Sequence, residues 1–142
     1  MKKIFQTAFV LFFIIAFEES YGQCNPQELA SNCVSQVKEG FTFLKSFNID
    51  GMNGSREKVE YSYVFSKDTQ YYLNICAEGE NTDGIIVTIY DAKRRVASTN
   101  LANDKIFPGI IFACKSTGIY YITFTFDNSE TYCGGSVLAF KK

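Results

Sequence analysis

From Val59 to Phe65 apolar and polar side chains alternate: Val59, Tyr61, Tyr63 and Phe65 fall on one side of the chain and Glu60 and Ser62 on the other. A period of two belongs to a β-strand with one face in a core. The alternation returns twice, as Tyr71, Leu73 and Ile75 against Tyr72, Asn74 and Cys76, and as Tyr120, Ile122, Phe124 and Phe126 against Tyr121, Thr123 and Thr125. Ile85 to Tyr90 is almost wholly apolar or β-branched, the composition of a central strand. Phe41 toward Ile49 and Ser136 to Phe140 add two strands, and Val96 to Thr99 a short, weak one. Ile106 to Cys114 is broken by Pro108-Gly109 and should lie at an edge or carry a bulge. Turn-forming residues punctuate the pattern at Asp50–Gly54, Ser66–Asp68, Gly79–Gly84 and Asp91–Arg94. About eight short strands joined by such turns predict a mainly β fold, an antiparallel β-sandwich.

One segment follows the other period. Leu29, Cys33 and Val37 recur at i, i+4 and i+8, with Ala30 and Val34 beside them. Asn25 suits a helix cap, Pro26 the first helical position, and Glu28 the position from which a carboxylate reaches back to the cap amide. Gly40 ends the pattern, so the spacing predicts one amphipathic helix over about 26–39 with Cys33 on its buried face.

Ahead of the helix, Lys2 and Lys3 precede the apolar run Phe9–Phe17, and Ser20-Tyr21-Gly22 sets small residues at the −3 and −1 positions of a signal-peptidase site. The run is shorter than the roughly 20 residues that span a bilayer, and Glu18 and Glu19 follow at once. Residues 1–22 therefore read as a cleaved signal peptide and 23–142 as a single domain, secreted or held in the periplasm or on the outer surface. No second apolar run offers a transmembrane anchor. Gln23 precedes Cys24 where lipid attachment favours a small residue, so Cys24 is expected to carry no lipid.

Composition narrows the chemistry. The formal net charge is −1, which leaves no field to hold a phosphate backbone and argues against nucleic acid. The chain has no histidine, which removes Ser-His-Asp and Cys-His catalysis and the commonest ligand of zinc, copper and non-haem iron. A carboxylate-pair hydrolase survives only as a distant alternative. The expectation is a protein that is not an enzyme and needs no cofactor.

Cys24, Cys33, Cys76, Cys114 and Cys133 lie beyond the signal, and export favours disulfides. With 26–33 helical, a rise of about 1.5 Å per residue holds Cys24 and Cys33 beyond the bridgeable Cα range of about 7 Å. Cys76 and Cys114 each end a core strand and are the expected pair. Cys33 would then staple the helix to the sheet through Cys133, with Cys24 a free thiol.

Four surface features are candidate sites. Glu78, Glu80 and Asp83 offer carboxylates to calcium in a loop that otherwise reads as a solvated turn. Asn53-Gly54-Ser55 matches a glycosylation acceptor but reads as a hairpin turn, and Lys93-Arg94-Arg95 as a solvated basic turn. Tyr72, Tyr90 and Tyr121 alternate away from the core, where tyrosines stack on sugars or anchor a protein.

The run Asp83-Gly84-Ile85-Ile86-Val87-Thr88-Ile89-Tyr90-Asp91, followed after a loop by Thr117-Gly118-Ile119-Tyr120-Tyr121-Ile122, resembles the pre-peptidase C-terminal domains of secreted bacterial enzymes. The start Cys24–Leu29 and the end Tyr132–Lys141 are also similar to small secreted proteins of Bacteroidota. The pre-peptidase resemblance covers roughly 57–140, and this chain departs from it in its added helix and cysteines. It implies a jelly-roll sandwich and a non-catalytic role. The expected function is a secreted binding or interaction module for a protein or glycan outside the cell, with carbohydrate binding through the outward tyrosines as the alternative.

Overall fold

The computed structural model describes residues 23–78 and 81–142. The signal peptide read at 1–22 lies outside the described residues, as do Gly79 and Glu80. Among the described residues one α-helix, α1 (Pro26–Val34), precedes ten strands, with a short 3-10 turn at Met52–Gly54 between the first two: β1 (Thr42–Asp50), β2 (Lys58–Phe65), β3 (Thr69–Ala77), β4 (Ile85–Tyr90), β5 (Val96–Thr99), β6 (Leu101–Ala102), β7 (Lys105–Ile106), β8 (Gly109–Cys114), β9 (Gly118–Phe126) and β10 (Cys133–Lys141).

Eight of the strands make two antiparallel sheets, in the order β1-β10-β3-β8 and β2-β9-β4-β5. The chain crosses between the sheets at β1–β2, β2–β3 and β3–β4, so the two sheets are wound together as one antiparallel sandwich. The core lies between them. Phe47, Ile49, Leu73 and Leu138 enter it from the first sheet and Phe65, Val87, Ile89, Ile122 and Phe124 from the second. Phe65 lies between two rings, stacked on Tyr71 at 4.0 Å and on Tyr120 at 5.1 Å between centroids. As expected, β4 is an interior strand and β8, with Pro108 just before it, an edge.

Helix α1 starts where its cap predicts: the Asn25 side chain accepts from the Glu28 N–H. Glu28 reaches back to the Asn25 side-chain amide, 3.0 Å away. The helix stops at Val34 and does not run to 39. Val37 still packs on Cys33, Cys76 and Val137, but from the irregular segment after the helix, so the apolar spacing outlasts the helix. The helix lies across the outer face of the first sheet, over β1, β10 and β3. Gly135 on β10 permits this approach, because a Cβ there would collide with the backbone of Ala30.

The disulfide pairing differs from the expected one. Cys24 joins Cys133 and Cys33 joins Cys76, while Cys114 is a buried free thiol. Cys76 and Cys114 do end neighbouring strands, but β3 and β8 are antiparallel, so those ends lie at opposite ends of the strand pair. Cys114 sits opposite Thr69, which at about 3.3 Å per residue is roughly 23 Å from Cys76. The two also face opposite ways, Cys76 toward the helix and Cys114 into the core. Cys33 does staple the helix, but to β3, whose Cys76 stands beside Gly135 of β10. Cys133 is thereby left for Cys24, which is bonded and not free.

Two turns also differ. Asn53 and Gly54 take positive φ as a turn demands, yet β1 and β2 belong to different sheets, so the turn crosses the sandwich and closes no hairpin. The β6–β7 hairpin was not expected. Asn103 and Asp104, with φ of 50° and 59°, form its tip, and this pair was its sequence signal.

Candidate functional site

The outer face of the second sheet is built in rows by its register. Glu60, Thr123, Thr88 and Thr99 form one row, Ser62, Tyr121, Tyr90 and Val96 the next, and Val64 with Ile119 a third. Alternation along β2, β9 and β4 fixes this, because Glu60, Thr123, Tyr121, Thr88 and Tyr90 are each one step from a buried neighbour such as Val59, Ile122 or Ile89.

The β4–β5 turn brings charge onto this face. Asp91 organises the turn by accepting from the N–H groups of Lys93 and Arg95 and pairing with the Arg95 guanidinium at 2.7 Å. The Arg95 N–H and its neighbours hold the Asp91 carboxyl below the usual carboxylate range. Arg94 takes a positive φ of 62° at the bend. Its guanidinium lies 3.6 Å from the centre of the Tyr121 ring and donates to Glu60 at 2.8 Å. Glu60 accepts in addition from the Thr123 hydroxyl at 2.9 Å. The Arg94 hydrogen bond lowers the Glu60 pKa, and Glu60 in turn raises that of Arg94. The result is a fixed assembly of carboxylate, guanidinium and aromatic ring on an otherwise polar face.

Next to it is an apolar margin. Val64, Ile119 and Val96 are exposed at 58%, 50% and 62%. Beyond Ile119 a crevice of about 210 Å³ opens between the β4–β5 turn and the β8–β9 connection, lined by Ala92, Lys93, Thr117, Gly118 and Ile119 among others.

The three outward tyrosines do not share a platform. Tyr90 and Tyr121 are paired across β4 and β9 on the second sheet. Tyr72 is on the first sheet, half-buried against Phe41 at 5.6 Å, and burial raises its pKa. Alternation places all three outward correctly but does not say which of two sheets a strand joins.

Of the calcium candidates, Asp83 is committed to the protein's own groups. The Asp83 carboxylate accepts from the Ser129 hydroxyl, the Glu130 N–H, and both the N–H and hydroxyl of Thr131. Burial works to raise its pKa, and these bonds outweigh it and hold Asp83 below its ordinary value. Asp83 thus fastens the β9–β10 connection. Glu78 is exposed, and Glu80 lies outside the described residues. Among the described residues no three Cys, Asp or Glu side chains gather as metal ligands.

Cys114 is sealed against Tyr120, whose hydroxyl donates to the Ser116 carbonyl at 2.9 Å. Desolvation first, and then Cys114, push the Tyr120 pKa up to about 12. Sequence reasoning passed over Glu60, and it read Arg94 as solvated. A glutamate on a strand and an arginine at a turn carry no signal until the register brings them together.

No protein-family model matches the chain, and no curated protein matches it. Among solved structures the chain is similar to Aeromonas hydrophila PliG, a periplasmic lysozyme inhibitor of g-type lysozyme. The two are 14% identical with a TM-score of 0.44 over 75% of this chain and 90% of that one. A likeness of this size assigns neither family nor activity.

Proposed function

We propose that this protein is a secreted, non-catalytic module that recognises a protein partner outside the cytoplasm through the outer face of its second sheet. The observation that carries the reading is the contrast between the two faces. Helix α1 lies across the outer face of the first sheet and is bridged to it at Cys76, whereas the second sheet presents Tyr90, Tyr121 and Arg94 beside exposed Val64, Ile119 and Val96. Tyrosine and arginine next to apolar side chains are the chemistry of protein-binding hot spots. Two disulfides fit an oxidising compartment. Among the described residues no helix is long and apolar enough to cross a membrane. Lipid attachment at Cys24 is incompatible with its bond to Cys133, because one sulfur cannot carry both.

Carbohydrate stacking is less well served. The Arg94 guanidinium occupies a face of the Tyr121 ring, and Phe41 packs on Tyr72, which leaves Tyr90 as the candidate for a sugar.

The test is site-specific photocrosslinking in the exporting cell, with a benzophenone amino acid at Ser62 or Val96 on the open face and at Ser31 on α1. A discrete protein adduct from Ser62 and Val96 and none from Ser31 is the expected result. Adducts from Ser31 alone, or none from the open face, would overturn the reading, and glycan-array binding lost in Tyr90→Ala would replace it with the carbohydrate alternative.

A further inference from the structure

The protein's near-neutral net charge hides a separation of charge along the sandwich. The β2–β3, β4–β5 and β8–β9 turns meet at one end, where the Lys67 N–H donates to the Thr117 hydroxyl and the Asp68 N–H to the Cys114 carbonyl. Lys67, Lys93 and Lys115 stand there exposed, and Lys141 and Lys142 follow from the end of β10. None of these five lysines has an ion-pair partner among the described residues. Two acidic residues share their turns: Asp91, engaged by Arg95, and Asp68. The far end, about 30 Å away along nine-residue strands, is the reverse. Glu57, Glu78, Asp83, Asp104, Asp127 and Glu130 gather in its connections, against Arg56 and Lys105.

We propose that the basic end docks an acidic segment of the protein partner, with an apolar side chain of that segment in the crevice between the β4–β5 and β8–β9 turns and flanking carboxylates on Lys67, Lys93 and Lys115. The inference rests on the protein-recognition reading above and adds the partner's chemistry to it. Complementary charge selects the partner's sign, since lysines clustered at one end attract carboxylates and repel a basic surface. The crevice selects the partner's class. Its walls include Ala92, Gly118 and Ile119, and exposed Ile119 continues onto Val64 across the register. A crevice with Ala92, Gly118 and Ile119 in its walls beside Lys93, its Asp91 already paired with Arg95, and Lys67 and Lys115 on the adjoining turns suits a peptide that alternates carboxylates with an aliphatic or aromatic side chain. A polyanionic glycan has nothing to place in such a crevice.

The experiment selects binders from a random peptide library displayed on phage against the immobilised domain and then measures the enriched peptides by fluorescence anisotropy. The expected consensus pairs Asp or Glu with an apolar residue. Lys67→Glu/Lys93→Glu/Lys115→Glu should weaken binding by about tenfold or more, and raised salt should weaken it too. Ile119→Asp should abolish it, while far-ultraviolet circular dichroism of both variants matches the parent. A consensus without carboxylates, no enrichment, or unchanged binding by the charge-reversed protein would overturn the proposal. So would binding of heparin, used as the anionic-glycan probe, that is lost in the charge-reversed protein while no acidic peptide binds. The crosslinking test separates the two readings. Adducts at Ser62 that survive charge reversal would leave the recognition face standing and remove its acidic partner.

Discussion

Removing the Cys33–Cys76 bridge tests how the helix is held. The bond joins residues 43 apart, and the loop-closure relation assigns a cross-link of that span roughly 4 kcal/mol through the unfolded state. The helix has little else to stand on. Its nine residues are fewer than the roughly 12–15 that an isolated helix needs in water, and the cluster beneath it consists of Cys33, Cys76 and Val137 with Val37 beside them. Cys33→Ala/Cys76→Ala should therefore lose about 4 kcal/mol, close to 16 °C in Tm for a domain of this length. Urea denaturation measures the loss. Hydrogen exchange locates it, with protection lost in Pro26–Val34 and kept in β3, β9 and β10. The remaining Cys24–Cys133 bond tethers the segment but does not hold the Cys33 face down. A loss below about 1 kcal/mol with helix amides still protected would show that packing alone docks the helix.

Gly135→Ala should also dislodge the helix, because its Cβ meets the backbone of Ala30; a shift of several degrees in Tm is expected, and an unchanged melting curve would refute the close contact. Asn100 is buried, accepting from the Val87 N–H and donating to the carbonyls of Ile85 and Phe107, so Asn100→Ala should cost about 2–4 kcal/mol in urea denaturation. Among the described residues the buried Ser136 hydroxyl has no hydrogen-bond partner, and Ser136→Ala should leave stability unchanged or raise it by up to about 1 kcal/mol; a clear loss would reveal a missing partner. The folded-state pKa of Asp83 is depressed, so its stabilising effect is present at neutral pH and disappears as pH falls from the ordinary carboxylate value through the lowered one; urea midpoints followed downward from neutrality should show this fall, and Asp83→Asn should flatten it.

The sandwich was legible because alternation is a local signal, and it holds wherever one face of a strand is buried. Val59 to Phe65, Tyr71 to Ile75 and Tyr120 to Phe126 all point as their sequence indicates. The cysteine pairing was not legible, because it depends on direction as well as on which strands are neighbours. Cys76 and Cys114 each end a strand, and had β3 and β8 run parallel those ends would have been adjacent; in the antiparallel pair they are as far apart as the strands allow. Face held the missing clue. Cys76 alternates with Leu73 and Ile75 and so points out of the core, toward whatever covers the sheet, and an outward cysteine opposite Gly135 calls for a partner on the covering element. Cys33, on the apolar side of the one helix, is that partner. The same limit explains the recognition face. Tyr121 and Tyr90 could be read as outward, but Glu60 reaches Arg94 only through the pairing of β2 with β9 and β9 with β4, contacts between residues 34 apart. A site assembled by register carries no contiguous motif, so the sequence signal of this face is confined to tyrosines and threonines such as Tyr90, Tyr121, Thr88 and Thr99 at positions that alternate out of the core.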